Sequence, residues 1–246
     1  MNYFLHFYIL VPITIIFTVS CGSNNFFDCD GGYASSKCAR LTKDEEARMA
    51  LDRGDLTTAT TILADLVATE PANYERYPLL AAAYAGKAGL DLFNIVSANF
   101  GGDSSLLQVM ESFVPTPTDL GDAYDASLED MNASVTTLLA IPAELRSSTS
   151  SDKYATSSAL QLTLYQSAYG VMYLNKFTYG AAGYDPALLA TMTAEDASII
   201  LNAFLGASLA AGGDAATAAN SAITAIQSQP GASDRDRLAA WSQAAR

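Results

Sequence analysis

Histidine is all but missing from this chain: its one copy, His6, lies inside the apolar stretch that opens the sequence. Everything after it therefore lacks an imidazole for a Ser-His-Asp triad, for general-base work or for metal ligation. Positive charge is also scarce, with 13 Lys+Arg against 26 Asp+Glu and a net charge of -13. The longest basic cluster is the mixed run Asp234, Arg235, Asp236, Arg237, so a nucleic-acid backbone finds no Lys/Arg patch and nucleic acid is excluded as a partner. No Gly-rich phosphate loop follows a strand, no Gly-x-Ser-x-Gly elbow occurs, and no Cys is clearly free to act as a nucleophile. Sustained period-two alternation is missing as well, which argues against a sheet. The carboxylate pairs Glu45, Glu46 and Glu129, Asp130 fit solvated helix faces. These absences predict a protein that is not an enzyme and needs no cofactor.

What is present begins with an almost unbroken apolar run from Tyr3 to Val19, which ends abruptly at Ser20, Cys21, Gly22, Ser23, Asn24, Asn25. A short apolar segment closing on small residues is the pattern of an export signal, to be set aside from fold reasoning. Thr18, Val19, Ser20, Cys21 resembles the lipobox of bacterial lipoproteins. That resemblance implies cleavage before Cys21, acylation of its thiol, and a mature chain tethered to a membrane through lipid. An uncleaved anchor and an ordinary secretory signal fit the same run, and all three put the mature domain outside the cytoplasm. Gly22 after the cysteine, read by the lipoprotein sorting rules, implies the outer membrane, facing the periplasm. With Cys21 assigned to lipid, Cys29 and Cys38 remain as an even pair in an oxidising compartment, and a disulfide between them is expected. A zinc site is the rival, but two Cys without a mature His cannot complete a structural zinc shell unless carboxylates join. Asp28, Asp30, Gly31 opens like a calcium loop yet lacks the closing Glu, so a turn is the reading. The expected organisation is a signal at 1–20, a tether at 21–40 and one all-helical domain at 41–246.

Within that domain a pattern recurs. Gly54, Asp55, Ala59 and Pro71 return at the same spacings as Gly213, Asp214, Ala218 and Pro230. These positions resemble the tetratricopeptide repeat, a helix-turn-helix unit. In that family Gly closes the first helix, a small residue lets the helices approach, and Pro follows the second. Ala47, Leu63 and Leu66 fill further positions of the first copy, and Gly206, Ala222 and Ala225 those of the second. Tyr77, Leu80, Ala81 and Tyr84 begin a third match. The repeat-like units cover 40–89 and 199–229, with a closing helix at Asp234 to Arg246. Helices are expected without the resemblance too: Ala59, Ile62, Leu63, Leu66 and Val67 form one apolar stripe, and Ala218, Ala222, Ile223 and Ile226 another. Asp55 and Asp214 suit helix N-termini, and Thr42 with Glu45 reads as a capping box.

Between the repeats, turn signals separate about four helical stretches: Ser105 to Val114, Asp119 to Ala140, Asp152 to Phe177 and Ala194 to Ala211. The third is apolar all round from Ala159 to Phe177. Gln161, Gln166, Ser167 and Asn175 would be costly in lipid, so a central core helix is expected rather than a membrane span. Its tyrosines Tyr165, Tyr169 and Tyr173 are the candidate ligand-facing residues, with packing inside the core as the competing account. The family's groove positions map onto small apolar residues, among them Ala85, Ile200, Ala203 and Ala207, which would not stay open to water as a large patch. The expected fold is therefore all-α: a helical-hairpin array closed into a compact globule by the non-repeat central helices.

Two functional readings follow. The first is a non-enzymatic envelope lipoprotein acting as a protein-protein interaction or scaffold module, with a membrane and an unidentified envelope protein as partners. The second rests on Leu79 to Leu92, whose Ala/Gly-rich run resembles the helical periplasmic lipoproteins associated with tripartite (TRAP) transporters. It implies an accessory protein that binds an apolar small molecule or lipid.

Overall fold

The structure, a computed structural model, describes residues 36–90, 105–146, 155–210 and 214–246. Among them are eleven α-helices: α1 (Ser36–Asp52), α2 (Leu56–Thr69), α3 (Tyr77–Lys87), α4 (Leu106–Glu111), α5 (Pro117–Leu120), α6 (Tyr124–Leu139), α7 (Ala143–Arg146), α8 (Ala155–Asn175), α9 (Ala194–Ala210), α10 (Asp214–Gln227) and α11 (Asp234–Ala244). The fold is all-α, as the apolar periodicity requires, and no helix among the described residues is long and apolar enough to cross a membrane. Cys21 and Cys29 lie outside the described residues, as do the signal, most of the tether and the calcium-like turn. Cys38 falls on the first turn of α1, where its side chain, and hence a bridge to Cys29, is likewise outside the description.

Residues Glu46–Arg246 form one compact unit. In this unit the local rules of helix termination are visible. Gly54 adopts φ 74°, a left-handed conformation that costs glycine little, and turns the chain out of α1. Asp55 then caps α2 by accepting the Thr58 N–H at 3.1 Å. Ala47 and Ala59 have no exposed surface, and with Ala50, Leu63, Leu80 and Ala83 they make a core of their own among α1, α2 and α3.

Three local expectations need correction. Thr42 does not start a helix, because α1 already runs from Ser36 and Thr42 lies within it. The helix expected from Asp119 is broken: Gly121 takes φ 54°, so the short α5 ends there and α6 begins at Tyr124. Finally, two residues each from Tyr179–Gly180 and Gly183–Tyr184 pair as a minimal antiparallel hairpin. Strands this short carry no alternation for a sequence reading to detect.

The main core is built around α8, which packs most extensively on α9 and also on α6. Leu162, Tyr165, Ala168, Val171, Met172 and Leu174 are buried along its length, each large apolar side chain contributing about 1.5–3 kcal/mol by leaving water. The central helix is thus a core helix, and Ala85, Ile200, Ala203 and Ala207 are buried. Two glycines let helices meet closely. A Cβ on Gly170 would sit 2.7 Å from Phe204 Cε1, and one on Gly206 would sit 2.3 Å from Gln166 Nε2. Gly206, expected to ease the approach of α9 to its hairpin partner, instead makes room for a side chain from α8.

Candidate functional site

The glutamine that Gly206 accommodates opens onto a pocket of about 340 Å³ where α6, α7, α8 and α9 converge. Leu139 from the end of α6 and Ala143 and Arg146 from α7 form one wall. Leu162 and Gln166 of α8 lie beneath, and Gly206, Leu209 and Ala210 of α9 complete the lining. The helical repeat explains the grouping: Leu162 and Gln166 are four residues apart and share a face of α8, while Gly206, Leu209 and Ala210 share a face of α9. Pockets that hold small molecules are mostly apolar, with a few placed polar groups, and begin at about 300 Å³.

The floor and mouth of the pocket differ. Leu162 and Gln166 are buried, whereas Leu139 and Leu209 stand at 42% and 76% exposure. Leucines exposed to this degree beside a concave site are an apolar rim. Gln166 Oε1 is shut off from solvent yet accepts no hydrogen bond. Arg146 is half-buried at the wall, where its Nε donates to the Ile141 carbonyl at 3.1 Å, so α7's last turn is tied back onto the end of α6. Among the described residues no Asp or Glu lines the pocket, and Arg146 has no carboxylate partner there.

The sequence-predicted tyrosines do not line this pocket. Tyr165 has no exposed surface; burial pushes its phenol upward, and its hydroxyl has no hydrogen-bond partner. Tyr169 and Tyr173 are half-buried and meet edge to face, with ring centroids 5.9 Å apart. Tyr173 continues this aromatic row to Phe177 and donates its hydroxyl to Asp196 on α9 at 3.0 Å. Its phenol is raised to about 12, first by burial and then by that hydrogen bond to an anion. The three therefore divide, Tyr165 into the main core and the other two into the join between α8 and the start of α9.

A second polar cluster holds Arg246. Its guanidinium reaches Glu111, with Nε 2.9 Å from Oε1, and Nη2 donates to Asn175 Oδ1 at 3.0 Å and Thr178 Oγ1 at 3.1 Å. It also lies 4.8 Å from the ring centroid of Tyr184 and 5.6 Å from that of Tyr179. Among the described residues no group of three or more His, Cys, Asp or Glu is placed to hold a metal ion. No protein-family model, no curated protein and no solved structure matches this chain.

Of the pocket residues the sequence points to Gly206 only as a small repeat position, and to Gln166 as a polar group too costly for lipid. That was the available signal, since an amide on a helix that is apolar all round must be satisfied, or must wait for a partner. Arg146, Leu139 and Leu209 carry none, because their meeting depends on packing between segments distant in the chain.

Proposed function

We propose that this chain is a non-catalytic ligand-binding protein of the cell envelope, held at the membrane through lipid on Cys21, and that the pocket around Gln166 takes a small molecule with an apolar body. One observation carries the reading: a buried amide oxygen without a partner at the floor of a leucine-rimmed pocket. An unsatisfied buried acceptor costs about 1–3 kcal/mol, and a bound ligand that donates to it once the flexible amide turns toward the pocket recovers that loss. The lipobox-like Thr18, Val19, Ser20, Cys21 and the following Gly22 support an outer-membrane lipoprotein facing the periplasm, and the missing imidazole supports binding over catalysis.

The test is recovery of small molecules from protein extracted gently from membranes, read by mass spectrometry. Wild type should yield one compound class near one per chain, and Gly206→Ala should yield much less, because the new methyl must displace the Gln166 amide. That amide is the free end of a flexible side chain, so the fold should survive, which circular dichroism checks. Empty wild-type protein that is also unmoved in thermal shift by a metabolite library would refute ligand binding. The anchor is tested separately by metabolic labelling with a fatty-acid analogue, which should mark wild type and not Cys21→Ala.

One observation favours the interaction reading instead. Leu205 and Leu209, four residues apart on α9, are exposed at 47% and 76%, enough for a protein partner to cover. Should Leu205→Lys, which lies outside the pocket lining, abolish a membrane-protein companion while leaving ligand recovery intact, scaffold and ligand functions would both belong to this chain.

A further inference from the structure

Resting on the ligand-binding reading of the same pocket, we infer that its ligand is a hydroxylated monocarboxylic acid with an apolar chain, whose carboxylate is gripped by Arg146 and whose hydroxyl donates to Gln166 Oε1. Acids outnumber bases twofold in this chain, and six cations among the described residues pair with one. Arg76 pairs with Glu70, Lys87 with Asp130, Lys176 with Asp125, Arg235 with Asp236, Arg237 with Asp234, and Arg246 with Glu111. Among the described residues, Arg48, Arg53 and Arg146 have no carboxylate at ion-pair distance. The first two are exposed on or just after α1, where water satisfies them. Arg146 is half-buried against a pocket wall that carries no acid.

Among the described residues this guanidinium commits only its Nε, to the Ile141 carbonyl, which leaves the Nη groups to meet an anion. The planar fork of Arg matches the two oxygens of a carboxylate. A phosphate ester carries more charge, and against a net charge of -13 a single arginine neutralises a monocarboxylate better than a dianion. The remaining wall is apolar, from Leu139, Leu162, Leu209 and Ala210, and accepts the chain. A volume near the low end of small-molecule pockets limits that chain to modest length.

Octanoate, 1-octanol and octylamine are the probes, each titrated calorimetrically into the full chain and into Arg146→Gln and Arg146→Lys. Octanoate should bind about tenfold or more tightly than octanol, the gain expected of one charge-assisted hydrogen-bonded pair, and octylamine should bind least. Arg146→Gln should lose that advantage while leaving octanol affinity unchanged, which separates loss of the charge from collapse of the pocket. Arg146→Lys should retain part of it. Octanol binding as tightly as octanoate, or octanoate affinity indifferent to Arg146→Gln, would overturn the carboxylate assignment and leave the pocket standing. Failure of all three probes to saturate would overturn it too, and ligand recovery from membranes then decides the broader reading independently.

Discussion

Tyr173 on α8 and Asp196 on α9 are joined by a 3.0 Å hydrogen bond from the phenol to Oδ1, while the carboxylate's other oxygen closes the N-terminus of α9. Oδ2 accepts the Thr193 N–H at 2.8 Å and the Thr193 hydroxyl at 2.6 Å, and the Asp196 N–H donates back to Thr193 Oγ1 at 3.2 Å. One carboxylate thus fixes both where α9 starts and how it meets α8, the two helices that floor and roof the pocket.

Removing the cap and removing the link should each be destabilising, by similar amounts. Thr193→Ala should lower unfolding free energy by about 1 kcal/mol, the usual worth of an N-cap side chain. Tyr173→Phe should cost about 0.5–1.5 kcal/mol through one lost hydrogen bond. Urea unfolding of the two variants and their double mutant checks this, and because both act on Asp196 the effects should not simply add.

The acid limb of stability should reflect the same carboxylates. Asp55 is held below its ordinary value of 3.8 by hydrogen bonds from Thr58, and Asp119 by the backbone and side chain of Thr116. For Asp196 burial pushes upward, but the bonds from Thr193 and Tyr173 and the nearby Lys176 charge outweigh it. A folded-state pKa below the unfolded one gives stability that is complete above the unfolded value and lost as pH falls through the folded value. Stability should therefore be insensitive to these groups near neutrality and decline below about pH 4. Asp196→Asn should flatten part of that decline, measured as urea midpoints across pH 2 to 7.

Gly170→Ala should destabilise although alanine is the better helix former. The added methyl meets Phe204 at 2.7 and 3.0 Å and Ala203 at 3.3 Å, in a fully buried ring. Overpacking of this kind costs about 1–3 kcal/mol, against about 1 kcal/mol gained in helix propensity. Phe204 lies edge to face with Trp241, 5.9 Å between centroids. Trp241 is the chain's one tryptophan, so its fluorescence should report the displacement directly.

Glu111→Ala should be costly because it strands Arg246. The two side chains are 16% and 11% exposed, and removing one partner of such an ion pair costs about 3–5 kcal/mol when fully buried; slight exposure should bring this to about 3 kcal/mol. Hydrogen exchange should show the loss concentrated in α11, which Arg246 follows, and added salt should restore little of it.

Most helices were legible because their stripes repeat at the helical period and their ends are marked: Ala59, Leu63 and Leu66 point inward as expected, and Gly54 and Asp55 end one helix and begin the next. The errors fall where one backbone angle decides. Gly121 divides what periodicity joins, and Thr42 offers a plausible cap in a helix that had already begun. The pocket was illegible for a different reason. Gln166 announces only that something polar is buried, whereas its meeting with Gly206, Leu209 and Arg146 arises from packing between segments distant in the chain. Tyr165, Tyr169 and Tyr173 drew attention by their chemistry, and the packing of α8 against α9 gave them separate surroundings.

Gly206 leaves space for a hydrogen atom and nothing larger beside the Gln166 amide. Every single-base amino-acid change open to a glycine codon introduces a side chain, so each missense step at this codon would evict the amide. A saturation library selected for ligand retention should accordingly keep glycine there while position 209, out in water, drifts among aliphatic residues.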